Sequence, residues 1–238
     1  MEVMVGLSLS TLLMSGIVAL LSGSVSAYRL QLSQDRLEES SRYARDVLVS
    51  HITQAGFQPR PWQNQAQSGA LTGESTDGDD VPGDRLGLQR WSNRNCYGAE
   101  NPVTDSSGQP AFYLLQAQFH VNSRENLAIT CRYGPGATQL TTQINNYGLV
   151  EEVESMQLLY AEDKDDDGIA DAWVRAQAWQ REENIRSVKV ALLLATTRKI
   201  APDNNQQITL LDESISAPAD GRLRRVTTFT VSIRGRLL

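Results

Sequence analysis

Residues Met1 to Ala27 form one apolar stretch with a single charge, Glu2, almost at its start; the first basic residue is Arg29. An unpaired carboxylate at the mouth of a membrane-length segment is costly in lipid, so Glu2 is a functional candidate wherever something can neutralise it. About 25 residues rising about 1.5 Å each reach roughly 38 Å, enough to span a bilayer. Ser8, Ser10, Ser15, Ser22, Ser24 and Ser26, with Gly6, Gly16 and Gly23, keep the stretch only moderately apolar. Small residues of this kind suit close helix–helix contact.

Three readings of this segment compete. Val25-Ser26-Ala27 has the small-x-small form of a signal cleavage site, but no basic region precedes the apolar run, and that run is long for a signal. An ordinary transmembrane anchor is the second reading. The third is a helix that stays on the mature chain and stacks against copies of similar helices. The pattern beyond the apolar stretch favours a continuous helix. Leu30, Leu37, Ala44, Val47, Leu48 and Ile52 recur at steps of three, four and seven, while Asp35, Arg36, Glu38, Glu39, Arg42, Arg45 and Asp46 cover the other face. Gly56 is a good stop, and Pro59 and Pro61 prevent resumption. One helix is therefore expected from residue 2 to about residue 55, membrane-compatible over 1–27 and amphipathic over 28–57.

Residues 58–238 read as a globular, β-rich domain. The stretch 58–84 is rich in Gln, Gly, Asp, Ser and Pro and reads as loop. Strands are expected at Phe112–Phe119, Leu127–Arg132, Val153–Tyr160, Trp173–Trp179, Val188–Ala195 and Val226–Ile233. Val188–Leu194 turns fully apolar, which suits a central strand. Val150–Met156 could open as a short helix. The fold class is α+β, a long N-terminal helix packed on a mostly antiparallel sheet.

Seven runs carry a family resemblance. The start Glu2-Val3-Met4-Val5-Gly6-Leu7 resembles type IV pilins and type II secretion pseudopilins, with Met1 standing where the residue before the family's glutamate belongs. Tyr28–Gln31, Leu37–Ala44 and Ile52–Phe57 resemble the helix of PilW-type minor pilins. Val150–Tyr160, Ile185–Leu193 and Gly221–Val231 resemble that group's later strands. The resemblance implies a minor pilin that enters the inner membrane and then joins other minor pilins and the major pilin in a complex priming type IV pilus assembly. Its globular domain would be periplasmic or extracellular. Glu2 would neutralise the N-terminal amine of a neighbouring subunit. A J-class pseudopilin of type II secretion is the nearest alternative. A secreted calcium-binding module whose first 27 residues are removed is another.

Cys96 and Cys131 fit neither a zinc site nor a CxxC redox motif. In an exported protein they would join and close a loop of about 35 residues, worth on the order of 3–4 kcal/mol. In a reducing compartment they would be two buried thiols. The N-terminal segment argues for export, and so for the bond.

Asp163-Lys164-Asp165-Asp166-Asp167-Gly168-Ile169-Ala170-Asp171 has the form D-x-D-x-D-G-x-x-D. Ca²⁺ takes six to eight oxygens, and carboxylates at alternate positions converge when such a loop curls. Asp163, Asp165, Asp167, the Ile169 carbonyl and Asp171 are the expected ligands. An EF-hand would carry Glu at the twelfth position, where this chain has Val174. The competing reading is a solvated acidic turn, in which the aspartates repel one another.

With formal charge −6 and no basic stripe, the chain is not expected to bind nucleic acid. It has no G-x-S-x-G, P-loop or dinucleotide fingerprint, and its two histidines, His51 and His120, lack a nearby nucleophile. The expectation is a non-enzyme without a small-molecule substrate.

Overall fold

The computed structural model describes residues 2–59, 69–78, 81–201 and 205–235. Helix α1 runs unbroken from Glu2 to Gln54. Among the described residues ten strands follow: β1 (Leu86–Ser92), β2 (Tyr113–Val121), β3 (Leu127–Gly134), β4 (Thr141–Val150), β5 (Val153–Glu162), β6 (Ala172–Val174), β7 (Ile185–Lys199), β8 (Gln206–Leu210), β9 (Glu213–Ala217) and β10 (Arg222–Ser232). They form two four-stranded sheets, ordered β1-β2-β3-β4 and β10-β7-β5-β6, and a β8-β9 hairpin, with every strand pair antiparallel. The α+β expectation holds.

The chain divides into two compact units, residues 1–39 and 40–238. In the first, apolar side chains such as Met4, Leu12, Ile17 and Leu20 are exposed. By length and composition, the helix that carries them can cross a membrane. Four of its serines suit that setting, because their hydroxyls turn back onto the helix. Ser10 Oγ donates to the Leu7 carbonyl, Ser15 to Leu12, Ser22 to Ala19 and Ser26 to Ser22, at 2.8–3.0 Å. Each hydroxyl so engaged costs less in lipid than a free one.

In the second unit, Ala44, Leu48 and Ile52 of α1 are fully buried. His51 meets Phe119 of β2 edge to face, while Ser41 hydrogen-bonds Thr227 of β10 and Arg45 lies over the Phe229 ring. One helical stretch thus covers both sheets. The helix ends because Gly56 takes a left-handed φ of 78°, open to glycine at little cost. The strands then take hold of the exit. Gly56 N–H donates to Gln89 O and Trp91 N–H to Phe57 O on β1, and Arg234 N–H, just past β10, donates to Thr53 O. Gly235 approaches so closely that a Cβ there would sit 2.3 Å from the Ala55 carbonyl oxygen.

β7 is central, as its apolar run predicts. Val190 and Leu192 lie opposite Phe229 and Thr227 in register and share their helix-facing side. Ala191 and Leu193 face the other way and pack on Leu210 and Ile215 of the β8-β9 hairpin. Being covered on both faces explains the lack of alternation.

Four local expectations are corrected. Strand β6 stops at Val174, and Gln177 at φ 63° lies in a turn, so Trp173–Trp179 is not one strand. The segment Val150–Met156 holds no helix: β4 ends at Val150, Glu152 turns at φ 68°, and β5 begins at Val153. Strands β1, β4, β8 and β9 were not expected. Leu71 and Thr76, within the stretch read as loop, form bridges to Leu88 and Arg85.

Candidate functional site

Three features carry the functional expectations: Glu2, the cysteine pair and the acidic loop. Glu2 opens α1 as its first helical residue, and its side chain lies outside the described residues. Cys96 and Cys131 form a disulfide, with their Cα atoms 6.0 Å apart. It ties the turn after β1 to β3. Nearby, Gln143 of β4 accepts from the Cys96 amide through its side chain and from the Tyr97 hydroxyl through its carbonyl.

The acidic loop connects β5 to β6, so its neck is a two-stranded hairpin in which Glu162 pairs with Ala172. It curls around Asp163, which is fully buried. Asp163 Oδ1 accepts from the Asp166 amide at 2.7 Å, and Oδ2 from the Gly168 amide at 2.9 Å. Asp171 Oδ2 closes the ring by accepting from the Lys164 amide at 2.8 Å. Left-handed φ values at Asp166 and Gly168 make the curl possible. One carboxylate oxygen each from Asp163, Asp165 and Asp171 then lies within 4.8 Å of the others. That is the cluster a hard cation wants. Asp167 is not part of it. Its Oδ1 accepts from the Ile169 amide at 2.7 Å, so both residues serve the turn.

The sequence reading missed Arg186. From the start of β7 its Nε and Nη2 reach Asp163 Oδ2 at 3.0 and 2.7 Å, and Nη2 also meets Asp166 Oδ1 at 2.8 Å. Burial pushes the Asp163 carboxyl up. The Arg186 guanidinium and the two loop amides more than offset this and hold it below the usual carboxylate range. The loop therefore brings part of its own counter-charge. The signal was one arginine two residues before Val188, with no local pattern to tie it to a loop 23 residues upstream.

The two histidines sit on the first sheet and on the helix end that packs against it. His120 Nε2 meets Asn146 Oδ1 at 3.0 Å. Burial, reinforced by the Arg90 guanidinium, lowers the His51 pKa to about 4. Because the folded value lies below the unfolded one, His51 contributes stability present above pH 6.5 and lost as pH falls toward 4. Asp84 acts in the opposite sense. Its buried carboxyl accepts from the Gly78 and Leu158 amides, and burial raises its pKa to about 7. Its contribution is lost as pH rises toward that value. Urea denaturation of wild type and His51→Phe separates the two. The stability difference, wild type minus variant, is expected to grow by up to about 3 kcal/mol between pH 4 and 6.5. A difference independent of pH in that window would show that His51 titrates normally.

The family model of Type IV Pilus-assembly protein W (PilW) matches residues 103–235. A comparison with curated proteins finds no match. Among solved structures, a type IV-like pilin from Thermus thermophilus is similar over 85% of this chain and 97% of its own, at 16% identity and a TM-score of 0.49. The family match takes in more than half of the 238 residues and every strand from β2 to β10. The chain thus belongs to the PilW family of type IV pilus-assembly proteins.

Proposed function

We propose that this pilin is a minor pilin that helps prime type IV pilus assembly, within a complex of other minor pilins that meets the major pilin at the fibre tip. The observation that carries the reading is the single helix Glu2–Gln54, apolar and exposed at one end and gripped by strands at the other, in a chain of the PilW family. Before assembly the apolar half holds the chain in the inner membrane, with the globular domain on the outer side. In the fibre that half packs against sibling helices. Glu2 then pairs with the terminal amine of a neighbour, which offsets the desolvation of both charges. Replacing Glu2 by alanine is expected to abolish incorporation into pili at least tenfold below wild type, while the soluble domain keeps its unfolding temperature. Wild-type incorporation of that variant, measured on sheared fibres, would remove the assembly role from Glu2.

We also propose that the β5–β6 loop binds Ca²⁺ through Asp163, Asp165 and Asp171, and that the ion rigidifies the loop without doing chemistry. The 4.8 Å cluster supports this. Arg186 shares Asp163 with the ion. At a free Ca²⁺ concentration about 100 times Kd, binding stabilises the fold by about 2.7 kcal/mol. Calorimetric unfolding should therefore occur at higher temperature in Ca²⁺ than in EDTA, and Asp165→Asn should remove the difference. Identical unfolding in both media would leave a plain acidic turn.

A further inference from the structure

The second unit holds a cavity of about 790 Å³ between the end of α1 and the first sheet. That volume falls within the roughly 300–1,000 Å³ of small-molecule sites. The strand register fixes its floor. Arg90 of β1 pairs with Leu115 of β2. Phe119, four residues on along the same face of β2, pairs with Ile129 of β3 and meets His51 of α1. Ile144 of β4 pairs with Cys131, two residues from Ile129. Arg90, Leu115, Ile129 and Ile144 therefore share the helix-facing side of the sheet, and Val47 and His51 line the cavity from α1.

That floor is cationic at one end and aliphatic beyond it. No side-chain hydrogen bond or ion pair holds the Arg90 guanidinium among the described residues. Burial withdraws it from water and lowers its pKa. Of the other arginines on the lining, Arg94 is paired with Glu100 and Arg234 is exposed. No Asp or Glu lines the cavity among the described residues, in a chain with 28 acidic and 22 basic residues. A guanidinium withdrawn from water without an anion is costly, and a carboxylate matches its fork. From β1 to β4 the floor crosses three strand spacings of about 4.8 Å, roughly 14 Å in all. An extended alkyl chain of about ten carbons spans most of that distance.

We infer that this cavity binds a medium-chain fatty carboxylate, its head on Arg90 and its chain along Leu115, Ile129 and Ile144. The head supplies the anion that the buried guanidinium lacks, and the chain lies on aliphatic side chains that are otherwise open to the cavity. Each methylene laid on that floor should tighten binding about three- to fourfold until the chain reaches β4. None of the lining residues belongs to the acidic loop or to residues 1–39. The site therefore stands independently of the assembly and calcium roles.

The test uses the full chain in lipid nanodiscs, with the imidazole nitrogens labelled and decanoate as the probe, its free concentration fixed by dialysis. The chain has two histidines, and His51→Phe assigns the ring signals of the one on the cavity wall. Decanoate should move the His51 signals saturably. Those of His120, which bonds Asn146 and does not line the cavity, should keep their places. Hexanoate should bind at least about tenfold more weakly than decanoate, and so should the uncharged decan-1-ol. Arg90→Met should remove the acid's advantage over the alcohol. Should that variant not fold, the same comparison in wild type and in Arg90→Lys, where the acid should keep its advantage, carries the test. The inference is overturned if free decanoate at about 5 mM leaves the His51 signals unmoved. It is equally overturned if the alcohol or hexanoate binds as well as decanoate, or if Arg90→Met keeps the acid's advantage.

Discussion

Replacing Arg224 by methionine should destabilise the folded domain by about 3–5 kcal/mol. The Arg224 side chain is 4% exposed and carries two forks. Nε and Nη2 meet Glu154 at 2.8 and 3.0 Å, and Nη1 and Nη2 meet Asp220 at 2.9 and 2.7 Å. Glu154 lies on β5 and Arg224 on β10, with β7 between them. The register partner of Arg224 on β7 is Ala195, a small residue. Truncation leaves Glu154, 11% exposed, with Arg222 alone at 2.9 Å. Most of the loss is the Glu154 carboxylate left with one guanidinium instead of two, so a double variant, Arg224→Met with Glu154→Leu, should lose less than the sum of the single changes. Urea denaturation of the four proteins measures this. Strict additivity, or a single-variant loss below about 1 kcal/mol, would mean that the forks are surface pairs in energetic terms.

Removing the Cys96–Cys131 disulfide should have an effect of similar size. A sequence separation of 35 residues corresponds to about 4 kcal/mol of loop-closure entropy taken from the unfolded chain. For a domain of this size that lowers the unfolding temperature by about 8–16 °C. Cys96→Ser with Cys131→Ser, or reduction of the native protein, gives the comparison by calorimetry. The loss should reside in the unfolded state, because Asn95 already braces the turn: its Oδ1 accepts from the Tyr97 and Ala99 amides. An unchanged unfolding temperature would show that the reduced chain keeps the same loop closed without the bond.

The sequence made some elements readable because their burial leaves a period. Ala44, Leu48 and Ile52 mark a helix face, and Val188–Leu194 marks a strand covered on both sides. Strand β4 was not readable. It lies at the edge of its sheet, mostly exposed, and its TTQINNYGLV carries no apolar alternation. The β8-β9 hairpin hid for another reason: its turn places Leu211 at φ 55°, where pattern reading looks for Gly or Asn. In the acidic loop, D-x-D-x-D-G foretold the curl around Asp163. Arg186 could not be foreseen, because its place there depends on how β7 pairs with β5. Arg90 looks like an ordinary residue of a short strand until His51, near the end of α1, is laid beside it.

Residues 53–57 are held from two directions, by β1 through Gly56 and Phe57 and by the segment after β10 through Arg234. In a fibre pulled along its length, tension arriving through α1 would meet this double hold beyond the packed face at Ala44, Leu48 and Ile52. Neither sheet has to bear the strain alone, and hydrogen bonds sharing a force outlast bonds broken one after another. A domain fastened this way resists traction at the root of its rod, where a lone flexible linker would simply stretch.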